Sequence, residues 1–229
     1  MEIKRIETGI SKFDKLVEGG LPKNSTSLLT GTPGTAKTIF GIQFVANGAK
    51  NGERGVYITL EQNKESLVRQ MSRFGYDLQE LMDKDLLRII EVETGMGAVD
   101  DPYTQLTKKK FVDELKAFAP ERAVLDSISL VTELSLGQMG NRKAVDEVTG
   151  IFKYLEATTL FTHERKTSSM GELEYSIEEF LVDGIIHLQL HMSEKLLKRY
   201  LTVIKMRETD HDTGIFEFSI NDSGINIRG

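Results

Sequence analysis

With 229 residues, 39% of them apolar and 28% charged, the chain is long enough for one large α/β domain with a buried core and too apolar to be disordered. A formal net charge of -6 speaks against a protein whose main task is gripping phosphate backbones, and the absence of cysteine excludes disulfides and thiolate metal sites. Four scattered histidines offer no dedicated metal site, and no apolar run approaches the ~18 residues of a membrane span. Met1-Glu2-Ile3-Lys4-Arg5 opens no apolar signal region, so a cytoplasmic location without membrane insertion is expected.

In chain order, Ser27–Thr30 is a short apolar run ending in a glycine-rich turn, and Lys37 to Ala49 reads as a helix. Gly55–Leu60 is a β-rich, buried strand. Lys64 to Phe74 carries Leu67, Met71 and Phe74 on one helical face. Leu86–Val92 is a strand, Phe111–Phe118 a helix that stops before Pro120, Ala123–Leu125 a strand, Ala144–Leu155 a helix and Thr158–Thr162 a strand. The alternation then stops: Gly184–Met192, Arg199–Met206 and Ile215–Ile220 are strand-like with no helix between them. A parallel βαβ core with helices on both faces should therefore carry an antiparallel extension at its C-terminal end. Glu93–Thr107, broken by glycine and proline, and the polar Glu164–Tyr175 read as functional loops after strands. Lys108-Lys109-Lys110 reads as a solvated face at a helix start, and Lys195 to Arg199 as a hairpin turn with charged flanks.

Gly31-Thr32-Pro33-Gly34-Thr35-Ala36-Lys37-Thr38 matches the phosphate loop Gly-x-x-x-x-Gly-Lys-Ser/Thr except at Ala36. Glycines let backbone N–H groups turn inward around a phosphate, and the helix that follows adds its dipole. Such a loop binds ATP, with Lys37 on the β- and γ-phosphates and the Thr38 hydroxyl on Mg²⁺. Ile39 follows directly and belongs to the same nucleotide-binding set. Asp126 ends the apolar strand Arg122–Leu125 and, beside a phosphate loop, is the expected Mg²⁺ partner. Glu61 ends another strand; a carboxylate there can polarise the attacking water, or simply cap the helix after Gln62-Asn63. Lys205-Met206-Arg207 ends a late strand and, by composition, reads as two solvated cations.

Together the motifs resemble KaiC-type ATPases of the RecA superfamily over nearly the whole chain. The entry segment Glu7–Leu16 with Gly19-Gly20-Leu21-Pro22 is similar to that family's Thr-Gly-Ile-x-x-Phe-Asp-x-Leu-x-x-Gly-Gly-x-Pro. The phosphate loop, Leu60-Glu61-Gln62, Arg73-Phe74-Gly75-Tyr76-Asp77-Leu78, Val124–Ser127, Ile177–Gly184 and Lys205-Met206-Arg207-x-Thr209-x-His211 follow in the family's order. The resemblance implies one RecA-like P-loop domain over 1–229, forming a homo-oligomeric, hexameric ring with ATP and Mg²⁺ between subunits. It implies that Glu61 activates water, that Arg73 joins the nucleotide-binding set, and that Lys205, Met206, Arg207, Thr209 and His211 reach a neighbour's nucleotide. It further implies a slow ATPase whose nucleotide state is read by a protein partner not named by the sequence.

The chain departs from the pattern at Ala36, which replaces the last loop glycine, and at Gln62, which replaces a second acid. Both favour an alternative, a non-hydrolysing ATP-binding regulatory or scaffold subunit. A DNA-binding recombination protein of the same superfamily is disfavoured, because Val131–Gly140, read as the loop after Asp126, carries Glu133 and no Lys or Arg, and the chain is acidic. Glu179-Phe180 stands where the family's autophosphorylating unit has adjacent Ser and Thr, which argues against autokinase activity; Ser168, Ser169 and Ser176 are nearby hydroxyls without that alignment.

Overall fold

The computed structural model describes residues 3–94, 98–134, 141–165, 177–193 and 196–228. The entry segment forms β1 (Arg5–Ile6), α1 (Ser11–Leu16) and β2 (Leu21–Pro22), with β1 antiparallel to β2. Asp14 fixes this unit by accepting the backbone N–H of Thr8 at 2.8 Å and the Thr8 hydroxyl at 2.7 Å. The core continues with β3 (Thr26–Gly31), α2 (Lys37–Lys50), β4 (Gly55–Thr59), α3 (Lys64–Ser72), α4 (Leu78–Asp83) and β5 (Leu87–Glu91). Then come α5 (Pro102–Thr107), α6 (Lys109–Phe118), β6 (Arg122–Asp126), α7 (Ile128–Leu134), α8 (Asn141–Tyr154), β7 (Thr158–Glu164), α9 (Ile177–Leu181), β8 (Gly184–Ser193), β9 (Leu196–Met206), β10 (Phe216–Asn221) and β11 (Gly224–Ile227).

Among the described residues, nine strands form one sheet in the order β11-β10-β9-β8-β3-β7-β6-β4-β5. From β8 to β5 all neighbours are parallel; β9, β10 and β11 add antiparallel pairs, as the late helix-free strands predict. The central strands are buried on both faces, which is why they read as continuous apolar runs. Along β4, Tyr57 packs with α2 and α3, while Val56 and Ile58 pack on the opposite face with α6, α7 and α8. Val124 on β6 and Leu29 on β3 join the first cluster; Ala123, Leu125 and Leu28 join the second.

Arg122 is 2% exposed, and its guanidinium meets a carboxylate, two carbonyls and an aromatic ring. It pairs with Glu53 at 2.5 Å, donates to the carbonyls of Glu7 at 2.6 Å and Phe44 at 3.0 Å, and lies 5.0 Å from the Phe44 ring centre. It thereby ties the entry segment, α2 and β6 together. Gly48 makes room for it, since a Cβ there would sit 2.2 Å from Arg122 Nε.

Three loop readings change. Glu93–Thr107 contains α5, started by Asp101, whose side chain accepts the Thr104 N–H at 3.0 Å ahead of a first-turn Pro102. The segment after Asp126 enters α7 at once; positions 135–140 lie outside the described residues. β9 begins at Leu196, opposite Ser193, so Lys198 belongs to the strand rather than to the hairpin turn, and Arg199 lies within the strand as the reading of Arg199–Met206 expects. Lys108 pairs with Asp100 and Lys110 with Glu114, consistent with a solvated face. Of Glu164–Tyr175 only Glu164 and Arg165 are described, so Ser168, Ser169 and Ser176 lie outside the described residues.

Candidate nucleotide-binding site

The parallel strands β3, β4, β6 and β7 end at one edge of the sheet, and the sequence motifs converge there. β3 delivers Gly31, and the loop turns into α2 at Lys37. Gly31 has no room for a side chain: a Cβ would sit 2.4 Å from the carbonyl oxygen of Leu188 on the neighbouring β8. Gly34 and Ala36 both take left-handed backbone conformations, with φ of 81° and 76°. Glycine is free at such angles, whereas an L-residue pays about 1 kcal/mol or more. Ala36 therefore keeps the loop's fold at the cost of local strain.

Lys37 Nζ donates to the carbonyls of Gly31 at 2.8 Å and Thr32 at 3.2 Å, and the Thr35 hydroxyl donates to the Thr32 carbonyl at 2.7 Å. Desolvation lowers the Lys37 pKa; Glu164, Asp126 and Glu61 oppose that shift. The ammonium thus sits among three carboxylates at the mouth of a helix N-terminus.

Asp126 is 2% exposed, and its carboxylate is held on both oxygens. Oδ2 accepts from the Thr38 hydroxyl at 3.0 Å and from the Tyr57 hydroxyl at 2.5 Å; Oδ1 accepts from Thr162 at 2.5 Å. Burial drives the Tyr57 pKa well up, and the Asp126 charge adds to this, so the phenol stays a donor. Tyr57 and Thr162 were not singled out in the sequence. A tyrosine inside a fully buried parallel strand was the available signal, because its hydroxyl needs a partner.

Glu61 lies just beyond β4 and lines the same cleft as Lys37, Thr38 and Asp126. Its pKa is raised, first by desolvation and then by Asp126, with Ser127 and Lys37 acting the other way. Ser127 Oγ is buried and close enough for that influence, but it meets no full hydrogen-bond geometry among the described residues. The cleft encloses about 350 Å³ and is also lined by Ala36, Ile39, Gln62, Gln70, Glu164, Arg199 and Ile220. Arg199 Nε donates to the Gly34 carbonyl at 3.2 Å. The sequence reads Arg199 both as the charged flank of a hairpin turn and as the first residue of a strand; the antiparallel pairing of β9 with β8 is what lays it over the loop 165 residues earlier. From α3 it is Gln70 that reaches the cleft, whereas Arg73 is the exposed C-cap residue of that helix.

The remaining candidates lie at the other edge of the sheet. Lys205 Nζ donates to the Val182 carbonyl at 2.7 Å, and desolvation lowers its pKa. Met206 is 5% exposed and packs in the core beside Gly184. Arg207 Nη1 pairs with Asp183 at 3.0 Å, and Asp183 in turn accepts the backbone N–H of Thr26, the first residue of β3. The phosphate loop follows the last residue of β3, about 17 Å further on at ~3.3 Å per residue. Thr209 donates to the Arg207 carbonyl at 3.1 Å, and half-buried His211 stands next to Asp212, whose N–H reaches the Leu16 carbonyl at 2.9 Å. Within one chain these residues do not meet the cleft.

Mg²⁺ fits what is present. Among the described residues no group of three or more His, Asp or Glu side chains forms a cage. Thr38 and Asp126 offer a hydroxyl and a carboxylate, the hard oxygen donors that Mg²⁺ takes alongside phosphate oxygens and waters. No described helix is long and apolar enough to cross a membrane.

Comparison with known proteins agrees with this geometry. A family model described as ATPase: KaiC matches residues 6–229. The circadian clock oscillator protein KaiC of Prochlorococcus marinus subsp. pastoris is 30% identical over 229 residues, covering 98% of this chain and 45% of that protein. That of Thermosynechococcus vestitus is 30% identical over 230 residues, covering 99% and 44%. The chain thus spans less than half the length of the curated relatives it matches. The crystal structure of a KaiC-like protein from the hyperthermophilic archaeon Pyrococcus horikoshii OT3 aligns with a TM-score of 0.85 at 33% identity, covering 100% of both chains. A phosphate loop on a mostly parallel sheet, an antiparallel C-terminal extension and full-length similarity agree: the chain belongs to the KaiC ATPase family.

Proposed function

We propose that residues 1–229 act as one Mg²⁺-dependent ATPase domain that hydrolyses ATP slowly in a homo-oligomeric, six-membered ring and presents its nucleotide state to a protein partner in the cytoplasm. The observation that carries the hydrolytic reading is the raised Glu61 carboxylate lining the same cleft as Lys37, Thr38 and Asp126. In the reaction, water attacks the γ-phosphorus, the bond to the β,γ-bridging oxygen breaks, and ADP and phosphate leave. Glu61 orients the water and takes its proton, a role favoured by a carboxylate pKa above the ordinary range. Lys37 leaves its loop carbonyls for phosphate oxygens, and Gly31, Thr32, Gly34, Thr35 and Ala36 frame the phosphates. When bound at Thr38 and Asp126, Mg²⁺ supplies neutralisation of phosphate charge.

Support for a shared site comes from the separation within one chain. Lys205, Arg207, Thr209 and His211 lie at the edge of the sheet opposite the cleft, so their cations and hydrogen-bonding groups are available to a neighbouring subunit's nucleotide. A guanidinium delivered in this way stabilises charge on the transferring phosphoryl group.

A non-hydrolysing binding module is the second reading, favoured by the strained Ala36 and by Gln62. Phosphate release measured on wild type, Lys37→Ala and Glu61→Gln separates the two. Hydrolysis requires wild-type turnover, loss of binding in Lys37→Ala, and retained binding with turnover down about 10²-fold in Glu61→Gln. Wild-type turnover no higher than that of Glu61→Gln would identify the non-hydrolysing module.

A further inference from the structure

The turn that follows Arg207 is not self-supporting. Glu208 adopts a left-handed conformation with φ of 58°, which a residue with a side chain holds only when its surroundings impose it. The group that imposes it comes from the opposite end of the chain. Arg5, on β1, donates from Nη2 to the Glu208 carbonyl at 2.7 Å and from Nη1 to the Thr209 hydroxyl at 2.5 Å. Its Nη2 also pairs with Glu18 at 2.5 Å, and the Arg5 side chain is 14% exposed.

Arg5 is anchored in turn. β1 pairs with β2 through Arg5 opposite Pro22 and Ile6 opposite Leu21, and both Ile6 and Leu21 are buried. A second tie, from the Asp212 N–H to the Leu16 carbonyl at 2.9 Å, fixes the far side of the same turn to α1. The entry segment therefore grips 208–212 at two points. Thr209, held by Arg5, passes the constraint back by donating to the Arg207 carbonyl at 3.1 Å.

A guanidinium suits this task. It offers a rigid planar fork of donors, so it can fix a carbonyl, a hydroxyl and a carboxylate in one plane, which an ammonium on a flexible stem does less well. The Arg207 side chain itself is 60% exposed and, among the described residues, pairs only with Asp183. Its backbone needs an external brace if its guanidinium is to arrive at a fixed place on another molecule.

We infer that Arg5 is a positioning residue for the interface-borne Arg207: the entry segment holds the Glu208–Thr209 turn so that Arg207 meets the neighbouring subunit's nucleotide in register. This rests on the shared-site reading above. Misplacement by about 1 Å can cost up to ~10²-fold in rate, so loss of the brace should lower turnover without abolishing nucleotide binding.

The test is a double-mutant cycle on the full chain, reading kcat and KM for ATP at concentrations where sizing shows equal assembly. Arg5→Met should lower kcat about 10- to 100-fold with KM changed less than about threefold. Arg5→Lys should recover part of that loss. In an Arg207→Ala background, Arg5→Met should cost nothing further, because there is no longer a guanidinium to position. Thr209→Val, which keeps the shape of the turn and removes the hydroxyl that Arg5 grips, provides a second variant should Arg5→Met fold poorly, and it should reproduce the loss in kcat. If Arg207→Ala turns over like wild type, the shared-site reading itself fails. If Arg207→Ala is slow while Arg5→Met and Thr209→Val keep wild-type kcat, or if Arg5→Met costs as much in the Arg207→Ala background as alone, that reading stands and the positioning role of Arg5 is overturned.

Discussion

Arg199, near the start of β9, and Arg207, just past its end, reach opposite edges of the sheet. Arg199 donates to the Gly34 carbonyl of its own phosphate loop, whereas Arg207 pairs with Asp183 beside the start of β3. One strand thus carries a cation to each of two places that, in a ring, would belong to two different nucleotides. The two arginines should fail differently. Arg199→Ala should weaken nucleotide binding in any assembly state. Arg207→Ala should leave binding nearly intact and cost ~10³-fold in turnover, within the range of arginines supplied across an interface. Mixing supplies the check. Glu61→Gln and Arg207→Ala preparations, each nearly inactive, should regain part of their activity in mixed rings, because an intact Glu61 of one subunit then meets an intact Arg207 of the next. Mixed rings as inactive as either parent would falsify the shared site.

Ala36 should tolerate glycine better than a position at a helix start ordinarily would. With φ at 76° it sits where L-residues are strained, and the relief should exceed the entropy that glycine gains in the unfolded chain. Ala36→Gly is expected to raise stability by about 0.5–1 kcal/mol in denaturant titration. A loss of similar size would mean that the loop does not hold this conformation in solution.

Two helix glycines should respond in opposite directions to the same substitution. Gly150 on α8 has nothing within 4 Å of an added Cβ, so Gly150→Ala should stabilise by about 0.5–1 kcal/mol through helix propensity alone. Gly48 on α2 carries the same propensity gain, but its Cβ would meet Arg122 Nε at 2.2 Å. Displacing a buried guanidinium that pairs with Glu53 and two backbone carbonyls should turn the gain into a loss of roughly 3 kcal/mol. Chemical unfolding of the pair is the measurement, with equal effects as the contrary result.

His187 should make the protein acid-sensitive. It is 7% exposed, its Nδ1 has no hydrogen-bond partner among the described residues, and burial with Arg165 nearby pushes its pKa from 6.5 to about 4. The unfolded chain takes up a proton as pH falls through about 6.5 while the folded chain does not until about 4, so stability is present above this window and is lost across it. That displacement is worth about 3 kcal/mol at most. His187→Leu should flatten that part of the stability–pH curve, which unfolding titrations at pH 7, 5.5 and 4 would show. A curve unchanged by the substitution would assign the acid limb to other groups.

What the sequence determined is whatever depends on near neighbours. The strands β3 to β7 were legible because a parallel strand buried on both faces must be apolar throughout, and the helices between them because one face repeats at helical spacing. The phosphate loop was legible because glycine freedom, Lys37 and Thr38 act within eight consecutive positions. The loss of alternation after α9 announced the antiparallel strands before their partners were known. Short helices such as α5 and α7 escaped, since six or seven residues give too few turns for a period to show against glycine and proline nearby. Tertiary structure alone decided the pairings that distance in sequence conceals. Register along β8 and β9 set Arg199 on the phosphate loop and kept Arg207 away from it. Parallel order in the sheet brought Tyr57, Thr162 and Thr38 onto one buried carboxylate at Asp126. Closure of the entry segment set Arg5 on Thr209, 204 residues away. Local sequence cannot encode these contacts one by one. They follow from burying both faces of a single sheet, which fixes where every strand end, and therefore every polar group at a strand end, must lie.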